Sequence, residues 1–229
     1  NIVVTSIRGM TARAIAQHSL TIMLSLIGGM DIHHDRQQNH TWGRTLTDVV
    51  KDKNLDREFQ DQTLLVVGLG SSGTEVGRLA HALGMRVMAH DPFIAKTDAA
   101  WKGVERSELE NLMANADVVS LHLPLTDDTR GLLDARKIAG MKKGAVLINT
   151  ARGGIVDEDA VVESLRAGHL SGAALDVFES EPVTAASGAR FEGVNNLVLT
   201  PHIAGVTQES NVRVSAVTAE NVRRVLSGK

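Results

Sequence analysis

Three stretches in the second half of the chain carry residue types suited to acid–base and anion chemistry. Arg152 stands in Thr150-Ala151-Arg152-Gly153-Gly154, Asp176 in Leu175-Asp176-Val177-Phe178 with Glu181-Pro182 close behind, and His202 in Thr200-Pro201-His202-Ile203-Ala204-Gly205. Each follows a short apolar run. An arginine fork matches a carboxylate, so Arg152 suits the anchoring of a small acid. A histidine titrates near neutrality and exchanges a proton with a carbonyl or hydroxyl oxygen, the task that suits His202. A carboxylate hydrogen-bonded to that imidazole fixes its tautomer, the task that suits Glu181. Taken singly, each has an ordinary explanation. Arg152 is then a surface or ion-pair residue, His202 a structural residue after a proline, Glu181 a solvated loop carboxylate and Asp176 a cap on backbone amides. Their delivery by three strand ends toward one edge favours the chemical reading.

A fourth stretch supplies a partner for them. Gly68-Leu69-Gly70-Ser71-Ser72-Gly73 follows the apolar run Thr63–Val67 and precedes Val76, Leu79, Ala80 and Leu83, spaced as one helix face. In that context Gly68 permits the tight turn, Gly70 lets backbone approach a pyrophosphate, and Gly73 lets the helix pack on the strand. The helix N-terminus offers unpaired N–H groups to phosphate. Asp91, eighteen residues after Gly73, closes the next strand. A carboxylate there accepts from ribose hydroxyls and repels a 2′-phosphate, which favours NAD over NADP. The ordinary alternative is a glycine turn beside an acidic loop residue. A nicotinamide next to Arg152, Glu181 and His202 makes a site for interconverting a 2-hydroxy acid and a 2-oxo acid.

The elements that must position these residues alternate from residue 63 onward. Strands are predicted at Thr63–Val67, Arg86–His90, Val118–Leu121, 145–149, 173–175 and Leu197–Leu199. Helices fall between them: one closed by Gly84, one opened by a capping box of Ser107 and Glu110, one running from Asp157 to Gly168, and a last one over 207–226. Runs such as Ala145-Val146-Leu147-Ile148 suit a parallel sheet covered on both faces. The fold class is therefore α/β, a doubly wound parallel sheet of Rossmann type with helices on both faces. Before it, residues 2–5 read as a strand, residues 14–30 as a buried or interface helix too polar for a membrane span, and residues 31–62 as polar surface helix and loop.

Composition narrows the chemistry. The 229 residues are 43% apolar and 22% charged, with no cysteine, no tyrosine and only 3% aromatics. The absent cysteine excludes disulfides, thiolate metal sites and thiol nucleophiles. The absent tyrosine excludes a phenolic proton donor, and with it the short-chain reductases. A net charge of −3 leaves no basic footprint for nucleic acid or anionic lipid. His33, His34 and His40 with Asp31 and Asp35 read as a polar surface helix, and no metal is expected. With no membrane span recognised, the chain is expected in the cytoplasm.

The motifs Val66-Val67-Gly68-Leu69-Gly70, Leu121-His122-Leu123-Pro124-Leu125-Thr126, 148–157, 173–178 with Glu181-Pro182, and Thr200-Pro201-His202-Ile203 resemble, in this order, the D-isomer-specific 2-hydroxyacid dehydrogenase family. The resemblance covers roughly the whole chain. It implies Arg152 on the substrate carboxylate, His202 as acid/base and Glu181 as its partner. It implies Ser71 and Ser72 against the pyrophosphate, Asp91 against the adenosine ribose, and Leu123 and Pro124 on the adenosine side. Asp176, with backbone at Thr150 and Ala151, falls near the nicotinamide carboxamide, and Gly205 completes the cofactor-binding set. Ser72 departs from the aliphatic residue usual there. The glutamate at 181 argues against a formate-type relative, which carries glutamine. The resemblance also implies a homodimer through the apolar helix of residues 14–30. The organisation expected is 1–62 as leading strand, helix and connector, 63–206 as Rossmann core and 207–229 as closing helix, with the family's N-terminal substrate domain absent. The alternative is a non-catalytic NAD-binding module of a redox-sensing or corepressor kind.

Overall fold

The computed structural model describes residues 2–41, 57–95 and 97–228. Among them, seven strands form one parallel sheet: β1 Thr63–Val67, β2 Arg86–His90, β3 Glu105–Arg106, β4 Val118–Leu121, β5 Val146–Asn149, β6 Gly172–Leu175 and β7 Leu197–Leu199, in the order β3-β2-β1-β4-β5-β6-β7. The strand order reverses at β1, which pairs with both β2 and β4. Because every pairing is parallel, all carboxyl ends lie on one edge, and the crevice of such a sheet opens at the reversal.

The helices are α1 Ala12–Ile27, α2 Met30–Gln38, α3 Ser71–Ala82, α4 Leu109–Asn115, α5 Ala135–Ala139, α6 Glu158–Arg166, α7 Ala185–Gly188 and α8 Gln208–Leu226. The two-residue period of β1 divides them between the faces. Leu65 and Val67 join Leu112 and Met113 of α4, Ile138 of α5 and Val161 of α6 in one core. Leu64 and Val66 face the other way, onto Ala16, Leu20 and Met23 of α1 and Val76 and Ala80 of α3. β4, β5 and β6 are buried at every position, which is why they read as near-continuous apolar runs, interrupted only by Ser120 and closed by Asn149. Each fully buried Leu or Ile in these layers contributes about 1.5–3 kcal/mol. Caps fall where the turn chemistry requires them. Asp157 accepts from the Ala160 N–H at the start of α6, Thr207 and Ser210 form a capping box on α8, and Gly84 stands past the end of α3 at φ +86°.

The structure departs from the sequence reading at four places. Residues 2–5 form no strand. They are β-rich, but Ile2, Val3 and Val4 are exposed and pair with no neighbour. β3 was not anticipated, since two charged edge residues carry no hydrophobic pattern. The capping box of Ser107 and Glu110 does not form. α4 starts one residue later with Glu108 at its cap, and the Ser107 hydroxyl accepts from Asn111 instead. The apolar stretch over 14–30 breaks at Gly28 and Gly29, so α1 ends at Ile27. Of the polar connector, Arg36 lies on the exposed helix α2, whereas Asp52, Lys53 and Asp56 fall outside the described residues. No single helix among the described residues is long and apolar enough to cross a membrane.

Candidate active site

The glycine loop joins β1 to α3 at the point of reversal. Gly68 has φ +93°, and a Cβ on it would lie 2.7 Å from the His122 carbonyl oxygen of the β4 end. Only glycine fits that turn. A Cβ on Gly73 would stand 1.9 Å from the Gly68 carbonyl oxygen, so the first turn of α3 lies flat on the loop. Gly70 differs from both: nothing lies within 4 Å of its Cβ position, and it is exposed. The loop is thus closed toward the protein at Gly68 and Gly73 and open at Gly70, above the first N–H groups of α3. Ser71 is exposed and Ser72 half-buried beside it, and Gly9 of the leading segment packs against the Ser71 side chain. Thr74, which sequence reasoning passed over, donates its hydroxyl to the Leu69 carbonyl at 2.9 Å and fixes the loop from below.

Asp91 stands at the end of β2. Its Oδ2 accepts the Leu69 N–H at 2.8 Å, and its Oδ1 accepts those of Phe93 and Ile94 at 2.9 and 3.2 Å. The carboxylate therefore braces the glycine loop, with lone pairs left for a further donor. At the end of β4, Leu123 is half-buried and Pro124 exposed, and the Leu123 N lies close beneath Gly68. Burial pushes the neighbouring His122 imidazole down to about 4, and its Nε2 meets Ser120 Oγ at 2.8 Å.

At the β5 end, the Asn149 side chain accepts the Ala151 N–H and donates to the Arg152 carbonyl, closing a tight loop. Arg152 is exposed, and its Nη1 donates to the Ala151 carbonyl at 2.6 Å. Thr150 is buried, and its hydroxyl meets Ser19 Oγ of α1 at 3.0 Å. Its side chain is thus turned into the protein, leaving its backbone to the edge.

Asp176, at the β6 end, is fully buried. It accepts from Thr200 Oγ1 at 2.6 Å and from the N–H groups of Ile203 and Ala204 at 2.9 Å each. The reading of Asp176 as a cap on backbone amides is thus correct. What it caps is the turn that carries His202, whose φ of +54° is rare for a non-glycine residue. His18 of α1 reaches the same cluster, with Nε2 3.1 Å from Thr200 Oγ1. Gly205 follows, and a Cβ on it would lie 3.5 Å from Thr11, at the start of α1, and 3.8 Å from Ile15.

His202 and Glu181 meet at 2.7 Å, Nδ1 to Oε2. The other Glu181 oxygen accepts the Phe178 N–H at 2.8 Å. Burial pushes the Glu181 carboxyl up. The hydrogen bonds from His202 and Phe178, with the charges of His202 and Arg152, outweigh it and hold the group below the usual carboxylate value. An ionised carboxylate only accepts, so Nδ1 carries the proton and Nε2 is the free ring nitrogen. From β1 onward sequence order along the edge becomes spatial order, with the glycine loop at β1, Leu123 at β4, Arg152 at β5, Asp176 at β6 and His202 at β7, while Asp91 at β2 lies on the other side of β1. Among the described residues, hollows lie around Phe191 and around Arg86, away from the glycine loop.

Fold and site together define a nicotinamide-dinucleotide domain with a histidine–carboxylate pair beyond the end of β7. Residues 20–204 match the family model described as D-isomer specific 2-hydroxyacid dehydrogenase, NAD binding domain, and the chain belongs to that family. It is 49% identical over 214 residues to the (S)-sulfolactate dehydrogenase of Chromohalobacter salexigens, covering 93% of this chain and 66% of that one. It is 37% identical over 227 residues to a D-3-phosphoglycerate dehydrogenase of Synechocystis, covering 99% of this chain and 39% of that one. Among solved structures, D-lactate dehydrogenase from Aquifex aeolicus with NAD and lactic acid superposes with a TM-score of 0.87 at 31% identity, covering 99% of this chain and 70% of that one. The chain thus spans about two fifths to two thirds of the length of the curated relatives named here. The open space at Gly70 and the braced loop around it fit the NAD that the family binds.

Proposed function

We propose that the protein interconverts a small 2-hydroxy acid and its 2-oxo acid with NAD(H), with Arg152, Glu181 and His202 as its acid-handling residues. The observation that carries this reading is the 2.7 Å pair of His202 and Glu181 on the same sheet edge as the open glycine loop. When bound, the nicotinamide supplies or accepts the hydride. Gly68, Gly70, Ser71, Ser72 and Gly73 hold the pyrophosphate, Asp91 the adenosine ribose, and Leu123 and Pro124 the adenosine side. Asp176, backbone at Thr150 and Ala151, and Gly205 border the nicotinamide. Glu181 keeps the His202 proton on Nδ1 and orients the ring. In the reducing direction the ring is doubly protonated: Nε2–H gives its proton to the substrate oxygen as it becomes a hydroxyl, leaving the neutral ring with its proton on Nδ1, and in the reverse direction that neutral Nε2 takes the proton back. Arg152 swings from the Ala151 carbonyl to the substrate carboxylate.

The substrates named for the two curated relatives carry a sulfonate or a phosphate besides the carboxylate, so a three-carbon acid with a second strongly acidic group is the first class to test. Because those relatives are longer than this chain, contacts to the substrate's side chain are assigned to none of its residues. A homodimer through the region of α1 and a cytoplasmic location complete the proposal. The test is NADH oxidation by the full-length protein against sulfopyruvate, phosphohydroxypyruvate, pyruvate and glyoxylate, with His202→Ala alongside. Turnover is expected with at least one acid, falling about 10²–10⁴-fold in the variant while NADH binding is kept. Binding of NADH with no turnover of any acid would make the protein a non-catalytic module. Native turnover by the variant would remove His202 from the mechanism.

A further inference from the structure

A second buried carboxylate lies one layer behind the His202–Glu181 pair. Glu158 is the first residue of α6 and is only 7% exposed, although its own helix is capped by Asp157. Its Oε1 accepts the Glu179 N–H at 2.6 Å, across 21 residues of sequence. Glu179 lies in the loop after β6, between Phe178, whose N–H donates to Glu181 Oε1, and Glu181 itself. The two consecutive N–H groups of this loop thus go to two different carboxylates, one behind it and one at the reacting edge.

The loop is confined from a further side. A Cβ on Gly153 would stand 1.9 Å from the Phe178 carbonyl carbon, so the Arg152 loop lies directly on the Phe178–Glu179 peptide. Glu158 is itself held. Arg190 Nη1 is 3.6 Å from its Oε2 and 3.2 Å from Asp159. Burial keeps the Glu158 carboxyl above its ordinary value against the Glu179 hydrogen bond and the Arg190 charge. A carboxylate buried at that cost, with its shortest bond to a loop and not to its helix, places that loop.

We propose that Glu158 is a positioning residue: by holding the Glu179 N–H it fixes the loop that presents Glu181 to His202, and so sets the orientation of the imidazole. This rests on the acid–base reading of His202 above. The test compares Glu158→Ala, Glu158→Gln and, as a control for lost stability in the same helix, Val161→Ala, all in the full-length protein. Three quantities are read: NADH affinity, kcat with a 2-oxo acid, and the NMR resonance of the His202 Nδ1 proton. In Glu158→Ala, kcat falls about tenfold with NADH affinity kept, and the Nδ1 resonance shifts upfield or broadens. Glu158→Gln, which keeps an acceptor, restores both, and Val161→Ala leaves the resonance in place. If Glu158→Ala does not fold, Glu158→Asp withdraws the oxygen by one methylene and shows the same shift. An unmoved resonance in Glu158→Ala, or an equal shift in Val161→Ala, overturns the proposal. The resonance is read without turnover, so a protein that reduces no 2-oxo acid refutes the catalytic reading and still decides this one.

Discussion

Replacing Gly70 by alanine separates cofactor binding from folding. Gly70 has φ −65° and ψ −171°, extended backbone open to any L residue, and its Cβ position has no neighbour within 4 Å. Alanine there meets no clash and narrows the unfolded ensemble, so stability stays level or rises by about 0.4–1 kcal/mol. The added methyl, however, stands in the open space over the first N–H groups of α3, where a pyrophosphate must approach. A hydrogen bond from N–H to a charged oxygen contributes about 1.5–3 kcal/mol. Displacing the phosphate by a methyl breaks at least one such bond, which lowers NADH affinity by roughly 10- to 100-fold. Gly73→Ala behaves differently. Its Cβ would lie 1.9 Å from the Gly68 carbonyl oxygen and 3.0 Å from Val66 Cγ1. The helix must lift by about 1 Å, and overpacking of that kind costs about 1–3 kcal/mol. Calorimetric titration with NADH and urea denaturation on both variants read the two effects. Gly70→Ala binding NADH as tightly as the parent, at parental stability, would show that the phosphates do not pass over Gly70.

Two further substitutions test the supports of the site. Asp176→Ala strands the buried N–H of Ala204 and releases the Thr200 hydroxyl and the Ile203 N–H, so it should cost about 3 kcal/mol or more; a loss under about 1 kcal/mol by urea denaturation would mean that another group holds the His202 turn. The His122 imidazole, held down to about 4, ties stability to pH. The unfolded chain takes up this proton near 6.5 and the folded chain only near 4, so the contribution is complete above 6.5 and is lost as pH falls between the two values. By pH 5 the loss is about 2 kcal/mol, and His122→Gln removes that part of the slope; an unchanged slope in the variant would assign the acid sensitivity elsewhere.

What the sequence disclosed and what it withheld divide along a physical line. β1, β2, β4 and β7 were placed to the residue because their apolar runs are bounded on both sides by turn or polar residues. The glycine loop was legible because each of its three glycines meets a different local demand, and those demands appear in the structure as two clashes and one opening. Residues 2–5 have the same β-rich character as β1 and form no strand, because a strand is a property of a pair and no described strand pairs with them. The supports of the site were hidden for a related reason. Ser19 meets Thr150 across 131 residues and His18 meets Thr200 across 182. No local pattern encodes such pairs, and a lone serine or histidine in an apolar helix has no signature of its own.

Those two pairs also change the meaning of α1. Its apolar residues read as a helix that is either buried in its own chain or covered by a partner chain. In the structure Ala16, Leu20, Met23 and Ile27 are buried in the core shared with α3 and the sheet, while Ser19 and His18 turn to the ends of β5 and β7. The helix is apolar on several sides because it packs on several elements of its own chain. His18 and Ser19 are polar within it because they face the edge where Thr150, Asp176 and His202 are held. A dimer is therefore not needed to explain the composition of α1. Its conspicuous sequence follows instead from serving as the rear wall of the site, so a substitution such as His18→Ala acts on the His202 turn through Thr200 before it acts on any subunit contact.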